Sequence, residues 1–173
     1  MTSPKNKKQS PLHSKNLHRE GYDFEKLAKH HAPLKGHVFE NEYGTLTIDF
    51  SVPSSVRALN AALLSTYYGV KHWDIPEGYL CPPVPGRADH IHYIADLLAA
   101  DNGDKYGKKI LDIGTGSNCV YPLLGHAIYG WQFLASEVDP KAYKAARAIV
   151  ASNQLEKNIK VVFQKDHKKV FFG

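Results

Sequence analysis

Ten residues in the second half of the chain, Lys109-Ile-Leu-Asp-Ile-Gly-Thr-Gly-Ser-Asn118, have the types and spacing to hold a soluble cofactor. An apolar run ends in two glycines one residue apart, which lets a backbone turn sharply and approach a ligand closely. A dinucleotide fingerprint needs a third glycine three positions on, and Cys119 stands there instead. Glu137 ends the next apolar run, at the distance where a carboxylate accepts both hydroxyls of a ribose. Asp139 competes for that role, but it directly precedes Pro140 and reads better as a helix N-cap. Asp112, two residues before Gly114, would repel a diphosphate and attract an ammonium. S-adenosylmethionine carries an ammonium, a ribose and an adenine but no phosphate, so the loop suits a methyl donor better than a nicotinamide dinucleotide. Bland alternatives stand beside these readings. Asp112 could simply brace the loop. Asp166, after the third apolar run, could meet an adenine edge or be an exposed turn acid.

Other reactive residue types form no comparable constellation. Ten histidines include the pairs His30-His31 and His90-x-His92, but no cysteine or carboxylate set completes a tetrahedral site around them, and no metal is expected. Cys81 and Cys119 are too few for a disulfide scaffold, and Cys119 is expected to be a small packing residue. Trp73, Trp131, Tyr67, Tyr68 and Tyr79 read as packing residues before base-stacking platforms.

The elements that must position the loop follow from periodicity. A weak helical pattern covers residues 22–29, and Leu46 to Phe50 alternates as a short strand. Ser54 or Ser55 is the expected cap of a helix that Gly69 ends. Residues 74–87, with four prolines and two glycines, are expected to form an extended loop, followed by a helix from Ala88 to Ala100. Then strand, loop and helix alternate. Strands are expected at 110–113, 133–136 and 159–163, with helices from about Asn118 and from Pro140 to Ser152. That order predicts an α/β fold with a parallel, doubly wound sheet.

Composition sets the remaining bounds. With 43% hydrophobic residues the chain can build a core, and no apolar run is long enough to cross a bilayer. The N-terminus lacks the apolar segment of a secretory signal, which favours a soluble, cytoplasmic protein. The formal net charge is +5. No acid precedes Glu20, whereas Lys5, Lys7, Lys8, Lys15 and Arg19 do, so residues 1–20 read as a basic, flexible arm attracted to polyphosphate.

Further segments carry a resemblance. Leu80-Cys-Pro-Pro-Val-Pro-Gly-Arg-Ala-Asp-His-Ile-His92, Ile110 to Gly116, Tyr121-Pro-Leu-Leu-Gly125 and Gly130-Trp-Gln-Phe-Leu-Ala-Ser-Glu-Val-Asp139 are similar to the bacterial 23S ribosomal RNA adenine-N6 methyltransferases of the RlmF type. The human U6 small nuclear RNA adenine-N6 methyltransferase belongs to the same wider family. The resemblance implies a class I S-adenosylmethionine-dependent methyltransferase fold, Rossmann-like, with a mostly helical N-terminal extension that grips RNA. It divides the chain into the arm (1–20), an RNA-binding extension (21–87) and the N-terminal half of the methyltransferase domain (88–173). It places Arg87 against the methionine carboxylate, Gly114 and Asn118 at the cofactor, Glu137 on the ribose and Asp166 near the adenine, while Gly116 joins the cofactor loop by its place in the Gly-x-Gly pair. The family's catalytic Asn-Pro-Pro-Phe does not occur in these 173 residues. Cys81-Pro82-Pro83-Val84 is a decoy without the amide or the aromatic ring. The expectation is therefore an N-terminal part, truncated after the third strand and inactive alone, of an enzyme that methylates an adenosine of ribosomal RNA. An RNA-binding module with a vestigial pocket, a methyltransferase of another RNA or protein, and a nicotinamide-dependent oxidoreductase are the rival readings.

Overall fold

A parallel sheet flanked by helices carries the glycine loop at one end of its first strand. The computed structural model describes residues 11–166 and 168. Strands β3 (Lys109–Ile113), β4 (Gln132–Glu137) and β5 (Ile159–Phe163) pair in parallel in the order β3-β4-β5. Helices α4 (Val120–Tyr129) and α5 (Pro140–Ser152) connect them and pack against the sheet. The register sets Asp112 opposite Ala135 and Ile113 opposite Ser136, so the ends of β3 and β4 lie side by side. Phe133, Ala135 and Ile159 are buried, whereas Leu111 and Leu134, neighbours across the pair, remain 47% and 43% exposed. This uncovered side carries a hollow of about 410 Å³ with Leu111 and Leu134 among its lining residues. It is the open flank of the sheet, and the glycine loop does not line it.

Ahead of the sheet lie α1 (Phe24–His30), a 3-10 turn (Ala32–His37), the antiparallel pair β1 (Val38–Glu40) and β2 (Leu46–Ile48), α2 (Pro53–Tyr68) and α3 (Val84–Asn102). The β1 strand has no clear alternation and was not expected, and Phe50 lies beyond β2 in a turn. The serine cap of α2 is corrected. Pro53 occupies the start of the helix, where its missing N–H costs nothing, and Val52 is the cap. Ser55 is instead buried, with its hydroxyl 3.0 Å from His37 Nδ1. Gly69 and Gly103 end α2 and α3 in left-handed conformations, φ 71° and 72°. The second correction moves the start of α3. Pro85 is tolerated in its opening turn, so the helix begins at Val84 and Arg87 sits on a helix rather than in a loop.

The third correction concerns residues 11–20, expected as part of a free arm. His13, Asn16 and His18 are only 8%, 4% and 5% exposed. Asn16 Nδ2 donates to Pro85 O and Asp89 Oδ1, each at 2.9 Å, and the His13 N–H donates to the same carboxylate oxygen at 2.6 Å. His18 Nε2 lies 2.8 Å from the Tyr68 hydroxyl. The segment is a strap bound to α3 and α2. Of its basic side chains, Lys15 reaches Asp96 of α3 and Arg19 turns back onto the strap's own Ser14 O.

Burial gives the strap a pH dependence. Desolvation, with the nearby His92 second, pushes the His18 imidazole down to about 4. Its folded pKa lies below the ordinary value of 6.5, so the unfolded chain takes up a proton first as pH falls. His18 therefore contributes fully above pH 6.5, and its contribution disappears as pH drops to about 4. The expected loss is on the order of 3 kcal/mol. Urea unfolding at pH 7.5 and at pH values down through that window should show the decline, and His18→Gln should flatten it.

Candidate cofactor site

The site is built where the end of β3 meets the end of β4. The N–H groups of Gly114 and Thr115 both donate to Ser136 O, at 2.9 and 3.0 Å, which folds the loop back over the neighbouring strand. Gly114 and Gly116 take φ values of 74° and 69°, which a side chain would strain. Glu137 then fixes the loop. Its Oε2 accepts the Gly116 N–H at 2.8 Å, while Oε1 accepts those of Val138 and Asp139 at 2.8 and 3.0 Å. The carboxylate is nearly buried, yet each oxygen has further acceptor capacity. A ligand hydroxyl would meet a carboxylate already held in place.

Asp112 sits beneath the loop. Its Oδ2 is buried and has no hydrogen-bond partner. Burial raises its carboxyl above the usual range, the Thr115 hydroxyl opposes this, and the Glu137 charge adds to the rise. A buried carboxylate oxygen without a donor is costly unless a ligand supplies one. Asp112 also lines a cavity of about 240 Å³ together with His90, Tyr121, Trp131 and Phe133. Arg87 is tied to a wall of that cavity: Nη1 donates to the Tyr121 hydroxyl at 3.1 Å, and the guanidinium lies 5.6 Å from that ring's centroid. The sequence neither linked Tyr121 to Arg87 nor brought the pair near Asp112. The first turn of α4 faces the first turn of α3, a tertiary fact.

The remaining residues divide. Asn118 braces the entry to α4, its Oδ1 accepting the Val120 N–H at 3.1 Å, and its own carbonyl accepts Trp73 Nε1 at 2.8 Å. Trp73 is buried as expected, and it also pins the loop. Cys119 is buried, with a thiol pushed up to about 12 by desolvation, and so is inert at neutral pH. At φ 51° its backbone takes the left-handed conformation, which a residue with a side chain holds under strain. Asp139 caps α5 by accepting the Lys141 N–H at 3.0 Å and also accepts the Tyr79 hydroxyl, which holds its carboxyl below the usual range. Tyr79 thus clips the 74–83 segment to the residue two beyond Glu137, a contact without a sequence signal. Asp166 lies in the turn after β5, its Oδ1 accepting the Lys168 N–H at 2.9 Å.

Of the basic residues, Lys5, Lys7 and Lys8 lie outside the described residues. Lys15 is exposed and pairs with Asp96 at 3.0 Å, and Arg19 Nη1 donates to Ser14 O at 3.4 Å. Among the described residues, no group of three or more His, Cys, Asp or Glu could hold a metal ion, and no helix is long and apolar enough to cross a membrane.

Comparison with known proteins places this geometry in context. A family model described as RNA methyltransferase matches residues 6–173. The chain is 50% identical over 171 residues to the ribosomal RNA large subunit methyltransferase F of Pseudomonas fluorescens, covering 96% of this chain and 50% of that protein. The chain thus spans about half the length of such curated relatives. Among solved structures, the N-terminal domain of human METTL16 in complex with SAH superimposes with a TM-score of 0.80 at 39% identity, over 90% of this chain and 61% of that one. The human catalytic domain in complex with MAT2A 3'UTR hairpin 6 gives 0.80 at 38% identity, over 92% and 55%.

Proposed function

Because the chain belongs to the RNA methyltransferase family whose model spans residues 6–173, we propose that it supplies the cofactor pocket and part of the RNA grip of an S-adenosylmethionine-dependent enzyme that N6-methylates an adenosine of 23S ribosomal RNA. The observation that carries the cofactor reading is the buried, unpartnered Oδ2 of Asp112 beside a Glu137 already bound to the loop backbone. Two carboxylates at one turn oppose a diphosphate and complement an ammonium and a ribose diol. Arg87, tied to Tyr121 on the wall of the same cavity, offers a guanidinium for the amino-acid carboxylate. Gly114 and Gly116 let the backbone approach, and Asn118 holds the start of α4 beside them.

When bound, S-adenosylmethionine supplies an electrophilic methyl group on its sulfonium. The residues named here bind and orient it, and Glu137 holds its acceptor oxygens where a ribose needs them. Asp166 is assigned to the adenine side by its place after β5. Lys15, Arg19 and, from the sequence, Lys5, Lys7 and Lys8 are assigned to phosphate contacts. The ribosomal RNA substrate rests on the curated relatives' names and the adenosine N6 position on the resemblance given above, and a cytoplasmic location follows from a ribosomal substrate.

Titration calorimetry tests the reading. S-adenosylmethionine and S-adenosylhomocysteine should bind saturably, and NADH should not; binding of NADH in preference would overturn it. Asp112→Asn should weaken S-adenosylmethionine about tenfold, the equivalent of about 1.4 kcal/mol. Because the Asp112 carboxyl titrates above its usual range, wild-type affinity should fall as pH is lowered towards it. The Asn variant should lack that acid limb.

A further inference from the structure

Away from the cofactor site, a second cavity of about 300 Å³ opens where the strap meets α2 and the end of α4, lined by Lys15, Tyr67, Tyr68, His92, Tyr106 and Tyr129 among others. We propose that it binds one unstacked base of the RNA substrate, stacked against the exposed Tyr106 with the adjoining phosphate at Lys15. The proposal rests on the reading that the protein acts on RNA, and it adds a site to that reading.

Chemistry selects this occupant. Four phenol rings and an imidazole in a small hollow suit a flat, polar-edged ring, since a base stacks by its face and bonds by its edge. The walls are already ordered. Tyr106 meets Tyr129 at 5.6 Å between centroids, and Tyr129 stacks on Trp131 at 5.3 Å. The His92 ring is fixed by the Tyr129 hydroxyl at 2.8 Å from Nδ1 and by His13 stacked at 5.1 Å. Tyr106 is 59% exposed and so is accessible to a base.

The charge has the right sign for a nucleotide. Among the described residues no carboxylate lines the cavity. Nearby Asp96 is shared by Lys15 at 3.0 Å, Lys105 at 3.9 Å and His13 at 2.9 Å, so this cluster retains positive charge. Lys105 also lies 6.0 Å from the Tyr129 centroid, and Lys26 lies 4.7 Å from that of Tyr67. Aromatic faces interleaved with ammonium groups form a stacking platform beside a phosphate track.

The test measures affinity for three probes: a single-stranded hexamer of adenylate, the same sugar-phosphate hexamer without bases, and adenosine monophosphate. Tyr106→Ala should weaken the adenylate hexamer about 5- to 100-fold and leave the abasic hexamer unchanged, and Tyr106→Phe should restore most of the loss. Lys15→Ala should weaken both hexamers. An RNA carrying 5-iodouridine should photocrosslink to Tyr106 or Tyr67. Equal weakening of both hexamers by Tyr106→Ala, or none, would overturn the base site and leave the RNA reading standing. Monophosphate binding as tight as the hexamer would mark a free-nucleotide site and overturn the RNA assignment. Failure of the wild type to bind either hexamer would overturn this proposal and the RNA reading together, while S-adenosylmethionine binding would still report separately on the cofactor pocket.

Discussion

Replacing Glu137 with alanine is expected to weaken S-adenosylmethionine binding by about 100-fold or more. The ribose would lose two charge-assisted hydrogen bonds, together worth about 3 kcal/mol or more. A second loss compounds the first. Three backbone donors, on Gly116, Val138 and Asp139, converge on this carboxylate, so its removal frees the loop as well as the ligand. Glu137→Gln separates the two effects, because its amide keeps one acceptor oxygen and loses the charge. Calorimetry should then rank affinities as wild type, Gln, Ala. Thermal unfolding without ligand should show the Gln variant closer to wild type than the Ala variant. Unchanged affinity in Glu137→Ala would remove the ribose assignment.

Replacing Gly125 with valine should cost the fold about 3 kcal/mol, a large share of the roughly 5–15 kcal/mol that holds a domain together. A Cβ built at this position of α4 would lie 2.6 Å from Phe133 Cζ and 2.8 Å from Trp131 Cε3. Both rings are buried, and Trp131 is also held by its Nε1 donating to Lys105 O at 2.6 Å, so they have little room to yield. The cost propagates to function. Gly125, midway along α4, sets the approach of that helix to β4, and the first turn of α4 carries Tyr121, with Asn118 just ahead of the helix. Urea titration should show a lowered midpoint, and even alanine should be measurably destabilising. A wild-type midpoint for the valine variant would mean that the helix and strand separate more easily than their packing indicates.

Much of the scaffold was legible in the sequence because its signals are local. Gly69 and Gly103 stop helices with a backbone conformation that suits glycine, and Asp139-Pro140 starts one by a cap and a preset φ. The strands at 133–136 and 159–163 follow from short apolar runs between turn residues, and the latter agrees to the residue. The glycine loop was legible for the same reason, since two glycines and two acids sit within one strand-turn-helix unit and its neighbouring strand.

Alone, the amino-acid order determined the parallel sheet, its turns and the acids at the head of two strands. The tertiary structure decided which distant side chains meet around them. Asn16 finds Asp89 73 positions away, His18 finds Tyr68 50 away, Trp73 finds Asn118 45 away and Tyr79 finds Asp139 60 away. It also packed residues 11–20, expected as part of a free basic arm, into a strap and put Arg87 on a helix beside Tyr121. Each such contact depends on the relative placement of whole elements. Local backbone preference reaches only a few residues along the chain, whereas burial and hydrogen bonding act between any surfaces the fold brings together.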